Sequence, residues 1–369
     1  MRADSPSLTV QGLRYTLSPR ILGSGGFATV YQAVAPSGVL VAVKIVDRSR
    51  HAESVLSQLQ NERQALALAQ THPCIVKFYG AARQGSLEVF VMEAVTGGDL
   101  LDRVLERQGL PELEAQIIIR QLVMALRWLH DRRIVHGCEI MHPPPPPPAP
   151  HARAHSPLPY SPPPFHHFLM PQHSFRFGRK GRILSRPSLG PRSDVKPENI
   201  LCVSPDSCRV KLADFGLASV LPAGESAVAR PKLVGSALYA APEHTSTFAT
   251  DMWATGITTY VLLSGKFPFG STADARTLNP SFYADCWKKL SDRGPEFISQ
   301  LLIVNHELRL TAAEALSHPW LTPHATSSLT QCQHTKRQKH ERPAANDVPP
   351  KRQSLAPFHS NADMSLAVR

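Results

Sequence analysis

Apolar and polar residues alternate with period two over residues 15–34 and again over 38–47, and β-branched side chains dominate both stretches. The pattern predicts antiparallel strands, with Pro36, Ser37 and Gly38 supplying the turn between them. From residue 53 to 70 the period becomes helical, with Leu56, Leu59 and Leu66 on one side. Short strands are predicted at 75–79 and 88–92. Beyond Leu110 the chain reads as helix: residues 112–132 carry Ile117, Ile118, Leu122, Ala125, Leu126 and Leu129 at helical spacing, and 251–264 and 296–304 read alike. The outline is a small β-rich part followed by a larger helical one.

Composition adds two anomalies to this outline. A hydrophobic content of 42% and a charged content of 19% over 369 residues describe an ordinary globular chain of two or three domains, or one two-lobed enzyme with extra segments. The 34 prolines and the net charge of +11 are out of line with that. Both concentrate in two places. Residues 137–193 hold fifteen prolines, six of them consecutive at 143–148, and seven Lys/Arg against Glu139 alone. Residues 322–369 hold seven Lys/Arg against Glu341, Asp347 and Asp363. Taking their +6 and +4 from +11 leaves about +1 for the rest, so the charge indicates neither a nucleic-acid nor a membrane partner. Both segments lack apolar periodicity and are predicted to be disordered.

The start carries no apolar run of a signal peptide, and no stretch has about 18 uninterrupted apolar residues. The expectation is a soluble protein of the cytoplasm and/or nucleus. Cys74, Cys138, Cys202, Cys208, Cys286 and Cys332 form no C-x-x-C pair, which suggests reduced thiols and no zinc site.

Chemistry enters at Gly23-Ser24-Gly25-Gly26-Phe27-Ala28-Thr29-Val30, where missing Cβ atoms would let backbone amides approach phosphate oxygens. Taken alone, such a cluster also reads as a plain turn. Lys44 in Val41-Ala42-Val43-Lys44 sits on an otherwise buried strand, where a cation is costly unless paired or reaching water. Glu62 on the predicted helix is an available partner. Farther on come Asp194-Val195-Lys196-Pro197-Glu198-Asn199, then Asp214-Phe215-Gly216, then Ala241-Pro242-Glu243.

This ordered set resembles the eukaryotic protein-kinase family, serine/threonine type, and in its C-terminal half is most similar to the calcium/calmodulin-dependent group. The resemblance implies an α+β, two-lobed fold: a kinase domain over 15–321, with a β-rich N-lobe (15–92) and a larger helical C-lobe (96–321). The segment 137–193 interrupts it, 1–14 is an N-terminal extension and 322–369 a basic tail. It also implies ATP and Mg²⁺. Lys44, oriented by Glu62, would hold the α- and β-phosphates; Asp214 and Asn199 would ligate Mg²⁺; Asp194 would be the general base, with Lys196 near the γ-phosphate. Leu22, Gly23, Gly25, Val30, Ala42, Met92, Glu93, Val95, Asp99 and Leu201 would line the nucleotide site, Met92 as gatekeeper and Glu93 to Val95 as hinge. Arg309 would pair with Glu243. By the same resemblance, Asp99 and Glu198 match positions that receive a basic residue upstream of the phosphoacceptor, which reads as Arg/Lys-directed protein substrates; alternatively, they are two exposed carboxylates with no such role.

Departures from the pattern matter as much. Ala28 stands where a third loop glycine is usual. The family's histidine, arginine and catalytic aspartate are consecutive, whereas here 57 residues separate His136 from Asp194. Joining His136-Gly137 directly to Asp194, or His136 to Ser193-Asp194, restores the spacing. That points to a segment foreign to the fold, such as a translated intron or an isoform insert; alternatively, its polyproline run is a ligand for SH3 or WW domains. Activity of the chain as written is expected to be strongly reduced, and a catalytically impaired scaffold that binds nucleotide or partners is the alternative. Neither junction supplies the arginine to which an activation-loop phosphate would bind, so dependence on Ser219 or Ser226 phosphorylation is expected to be weak. In the tail, Lys336-Arg337-Gln338-Lys339 and Lys351-Arg352 read as a nuclear import signal, or as a solvated tail. Pro343, Pro349 and Pro350 argue against a calmodulin-binding helix there.

Overall fold

The computed structural model describes residues 6–25, 28–51, 53–137, 195–225, 227–229, 238–243, 245–271 and 273–322. Asp194, Ser226, nearly all of the proline-rich segment and all but the first residue of the basic tail lie outside the described residues.

Six strands form an antiparallel sheet: β1 (Ser7–Val10), β2 (Leu13–Ser24), β3 (Thr29–Val34), β4 (Leu40–Asp47), β5 (Phe78–Gln84) and β6 (Leu87–Glu93), in the order β1-β2-β3-β4-β6-β5. Strand β1 falls inside the predicted N-terminal extension. It joins β2 through Gln11 and Gly12, both at positive φ (51° and 77°), the two-residue geometry that suits the right-handed twist of a hairpin. The Gln84 side chain donates to the Thr9 carbonyl at 2.5 Å, which ties β1 to β5 at the far end of the sheet order. One face of the sheet closes a small core of Val10, Tyr15, Ala33, Val41, Val43, Val89 and Val91. Period-two alternation therefore turns Ala42, Lys44 and Val46 of β4 to the other face. That face receives helix α1 (Glu53–Ala69), which buries Leu59, Ala65 and Leu66 and packs Leu56 beside them.

The strand predicted at 75–79 begins only at Phe78. Upstream of it, Cys74 and Val76 bond to β9 (Val210–Leu212): Leu212 N–H donates to the Cys74 carbonyl at 2.8 Å, and Val76 N–H to the Leu212 carbonyl at 3.0 Å. The apolar run is buried because it bridges to the larger lobe, not because it continues the sheet.

That lobe is built on α2 (Leu100–Arg107), α3 (Glu112–His130), α4 (Phe248–Ser264), α5 (Asp274–Thr277), α6 (Arg293–Leu301) and α7 (Ala312–Ser317). Helix α3 buries Ala115, Ile118, Ile119, Leu122, Val123, Ala125, Leu126 and Leu129 and leaves Ile117 partly buried, close to the predicted stripe. Helix α4 opens with a Thr247/Thr250 capping box and is buried from Thr250 to Ser264, so it is a central helix without a solvent face. Small strands β7 (Ile134–Val135), β8 (Ile200–Cys202) and β10 (Ser219–Val220) complete the lobe; β7 pairs with β10, and β8 with β9. Among the described residues no helix is long and apolar enough to cross a membrane. Cys74, Cys202 and Cys286 are free, as expected, whereas Cys208 is disulfide-bonded.

Candidate active site

Lys44 projects from β4 toward α1 and meets two carboxylates. Its Nζ lies 2.6 Å from Glu62 Oε1 and 3.3 Å from Asp214 Oδ1, with side-chain exposures of 14%, 3% and 50% for the lysine, glutamate and aspartate. Burial works against the lysine's charge, but Glu62 and Asp214 outweigh it and raise its pKa above the ordinary value. Lys44 in turn holds the Asp214 carboxyl below its ordinary value, while burial pushes Glu62 up against the pull of the same lysine. The arrangement is a fixed cation with one enclosed partner and one that still faces solvent.

Asp214 is at φ +56°, a left-handed conformation uncommon outside glycine, and Phe215 beside it is fully buried. The Phe215 ring meets His136 edge-on at 4.8 Å. His136 is itself buried, and that burial lowers its pKa and favours the neutral ring.

Asp251 on α4 belongs to the run Asp251-Met252-Trp253-Ala254-Thr255-Gly256 that continues the kinase resemblance, but its role shows only in the structure. Wholly buried, its carboxylate accepts from His136 N–H at 2.9 Å and Gly137 N–H at 3.0 Å, with His130 Nε2 at 2.9 Å. A charge at the head of an otherwise apolar helix was the available signal, because a buried carboxylate demands donors. Seven residues on, Thr258 Oγ1 donates to the Val195 carbonyl at 3.1 Å. One helix thus holds both described ends of the catalytic loop. After Val195, Lys196 is buried and Pro197–Asn199 form a short 3-10 turn. The Asn199 carbonyl accepts from Ala213 N–H at 2.9 Å, which sets Asn199 next to the residue that precedes Asp214.

The other predicted residues fall as follows. Gly23 pairs with Val30, Val30 with Lys44, and Ala42 with Met92 in the sheet register, so these four strands present one continuous roof. Leu22 is 40% exposed at the end of β2, and no atom lies near the missing Cβ of Gly23 or, at under 4.0 Å, of Gly25. Glu93 ends β6 and Val95 follows it, partly buried. Leu201 on β8 bridges to Asp99, whose Oδ1 accepts from Asp102 N–H at 2.9 Å and caps α2. Arg309 grips Glu243 bidentately, at 2.5 and 3.0 Å. Ser219 differs from expectation: it lies buried in β10 opposite Val135 and is no exposed phosphosite.

The donor set suits a hard cation. Asp214 offers a half-exposed carboxylate and Asn199 an amide oxygen, and Mg²⁺ ordinarily takes one or two protein oxygens together with substrate phosphates.

A glycine-containing β roof, a lysine paired to a helical glutamate, and an oxygen donor pair on the facing lobe define an ATP-dependent phosphotransferase of the two-lobed kind. The protein kinase domain family model matches residues 17–137 and 192–321, and the chain belongs to that family. It is 29% identical over 344 residues to human myosin light chain kinase family member 4 (87% of this chain, 70% of that one). It is 30% identical over 322 residues to calcium/calmodulin-dependent protein kinase type 1 of Macrobrachium nipponense (84% and 75%). CDPK-related kinase 4 of Arabidopsis thaliana is 29% identical over 324 residues, covering 84% of this chain and 44% of the relative. The chain is a protein serine/threonine kinase with the two-lobed fold expected from its motifs.

Proposed function

We propose that the chain transfers the γ-phosphate of ATP to serine or threonine hydroxyls of protein substrates carrying basic residues upstream of the acceptor. The observation that carries this reading is the Lys44–Glu62–Asp214 cluster. Lys44, held by Glu62, binds the α- and β-phosphates. Asp194 accepts the hydroxyl proton as the acceptor oxygen bonds to phosphorus and the bond to the leaving ADP breaks, and Lys196 steadies the γ-phosphate. Mg²⁺, held by Asp214 and Asn199, supplies charge neutralisation on the phosphates when bound. Leu22, Gly23, Gly25, Val30 and Ala42 cover the nucleotide from above, Leu201 and Asp99 from below, and Met92, Glu93 and Val95 border its base.

The preference for basic substrates rests on Asp99 and Glu198. Burial, together with the neighbouring charges of Asp102 and Glu198, pushes the Asp99 carboxyl up. Glu198 Oε2 is enclosed with no hydrogen-bond partner among the described residues. A guanidinium or ammonium from a substrate would relieve both.

The 57 residues between His136 and Asp194 favour a second reading for the chain as written: a catalytically impaired form that binds nucleotide or partners, with the polyproline run open to SH3 or WW domains. We further propose residence in the cytoplasm and/or nucleus, no nucleic-acid or membrane partner, and no calmodulin control, because the tail lacks a basic amphipathic run. The test is Mg-ATP-dependent phosphorylation of a basic peptide by the 369-residue chain and by a form lacking 138–193, with Asp194→Asn as control. Phosphotransfer that Asp194→Asn abolishes is the expected result. Phosphotransfer indifferent to that substitution, or none in either form, would overturn the kinase reading of the site.

A further inference from the structure

We propose that Arg133 is a positioning residue that fixes the first part of the activation segment, Ser219 to Glu225, without phosphorylation. The proposal rests on the kinase reading above. Arg133 stands at φ +59°, where an L-residue other than glycine or asparagine is disfavoured. An arginine kept in such a place needs a compensating interaction, and its contacts supply one. Its carbonyl accepts from Leu221 N–H at 2.8 Å. Its guanidinium donates from Nε to the Leu221 carbonyl at 3.2 Å, from Nη2 to the Pro222 carbonyl at 2.5 Å, and from Nη2 to the Glu225 carbonyl. The β7–β10 pairs Ile134↔Val220 and Val135↔Ser219 continue the same seam toward the catalytic loop. The planar fork of arginine can serve several carbonyls that a lysine ammonium could not serve together.

Gly137 explains why the anchor lies here. It is at φ +105°, and a Cβ there would come within 2.3 Å of the Leu217 carbonyl. No arginine fits directly after His136, and the guanidinium that grips this stretch enters from Arg133, four residues before Gly137. It takes backbone carbonyls, which are always present, rather than a phosphate, which is added.

The experiment is amide hydrogen exchange on the full chain with Arg133→Gly, which relieves the backbone while removing the guanidinium, and Arg133→Lys. Exchange at residues 219–225 should rise about tenfold in Arg133→Gly, from loss of about 1.4 kcal/mol of charged hydrogen bonding, with Arg133→Lys between and α3 unchanged. Phosphatase treatment of the wild type should leave 219–225 protected. Where phosphotransfer is measurable, the peptide KM should rise in Arg133→Gly while the ATP KM holds. Unchanged exchange at 219–225, a rise that includes α3 equally, or opening by phosphatase alone would overturn the proposal. Absence of phosphotransfer in every form would count against the kinase reading instead, and the exchange data would still decide the role of Arg133.

Discussion

Removing residues 138–193 should give a more active and more stable enzyme, and the structure sets the scale of both effects. The loop's described ends are held by Asp251 and Thr258, seven residues apart on α4 and so about 10 Å apart along its axis. Gly137, Asp194 and Val195, joined and extended, also reach about 10 Å. The deletion therefore closes without moving either anchor. Relative to a loop of about eight residues, the excess of 56 is an eightfold lengthening, worth about 2 kcal/mol of closure entropy. Its removal should raise the Tm by about 4–8 °C. The rate effect has a separate origin: displacement of a catalytic group by about 1 Å costs about 10²-fold, so kcat should rise by about that factor. Paired thermal melts and peptide-phosphorylation kinetics, with Asp194→Asn in both backgrounds, measure the two independently. If the shortened form gains neither stability nor Asp194-dependent rate, the anchors do not position the loop as argued.

Three further outcomes follow from the buried charges. Lys44→Met should abolish phosphotransfer and cost about 3 kcal/mol in urea unfolding, because it strands Glu62 without a partner; adding Glu62→Gln should recover more than half of that stability and none of the activity. Arg309→Lys keeps the charge but loses the fork on Glu243 and should cost about 2 kcal/mol, read as a lower urea midpoint. Burial lowers the pKa values of His136, His72 and His318 below 6.5, so the unfolded chain binds their protons first and stability should fall as pH drops below about 6.5. A Tm that stays flat or rises between pH 6.5 and 5.5 would refute that sign.

What the sequence announces and what it conceals divide along a physical line. Lys44, Glu62, Asp214, Arg309 and Glu243 act on one another through side chains of opposite charge, so each advertises a need that another residue can meet; Lys44 pairs with Glu62 and Arg309 with Glu243, and Asp214 joins the first pair. The helices α3 and α4 were legible because burial of a stripe, or of a whole helix, imposes a period on residue type. The misread strand at 75–79 carried the right burial but the wrong partner, since apolar content reports that a segment is covered and not by what. Thr258 and Arg133 were silent for a different reason: each works on backbone N–H or C=O groups, which every residue possesses. No partner type in the sequence marks such a contact. The same property explains how the fold accommodates a segment between Gly137 and Val195. Anchors made to the main chain depend on where the loop begins and ends, and not on the residues strung between, so chain inserted there leaves the contacts at Gly137 and Val195, and the lobe that makes them, in place.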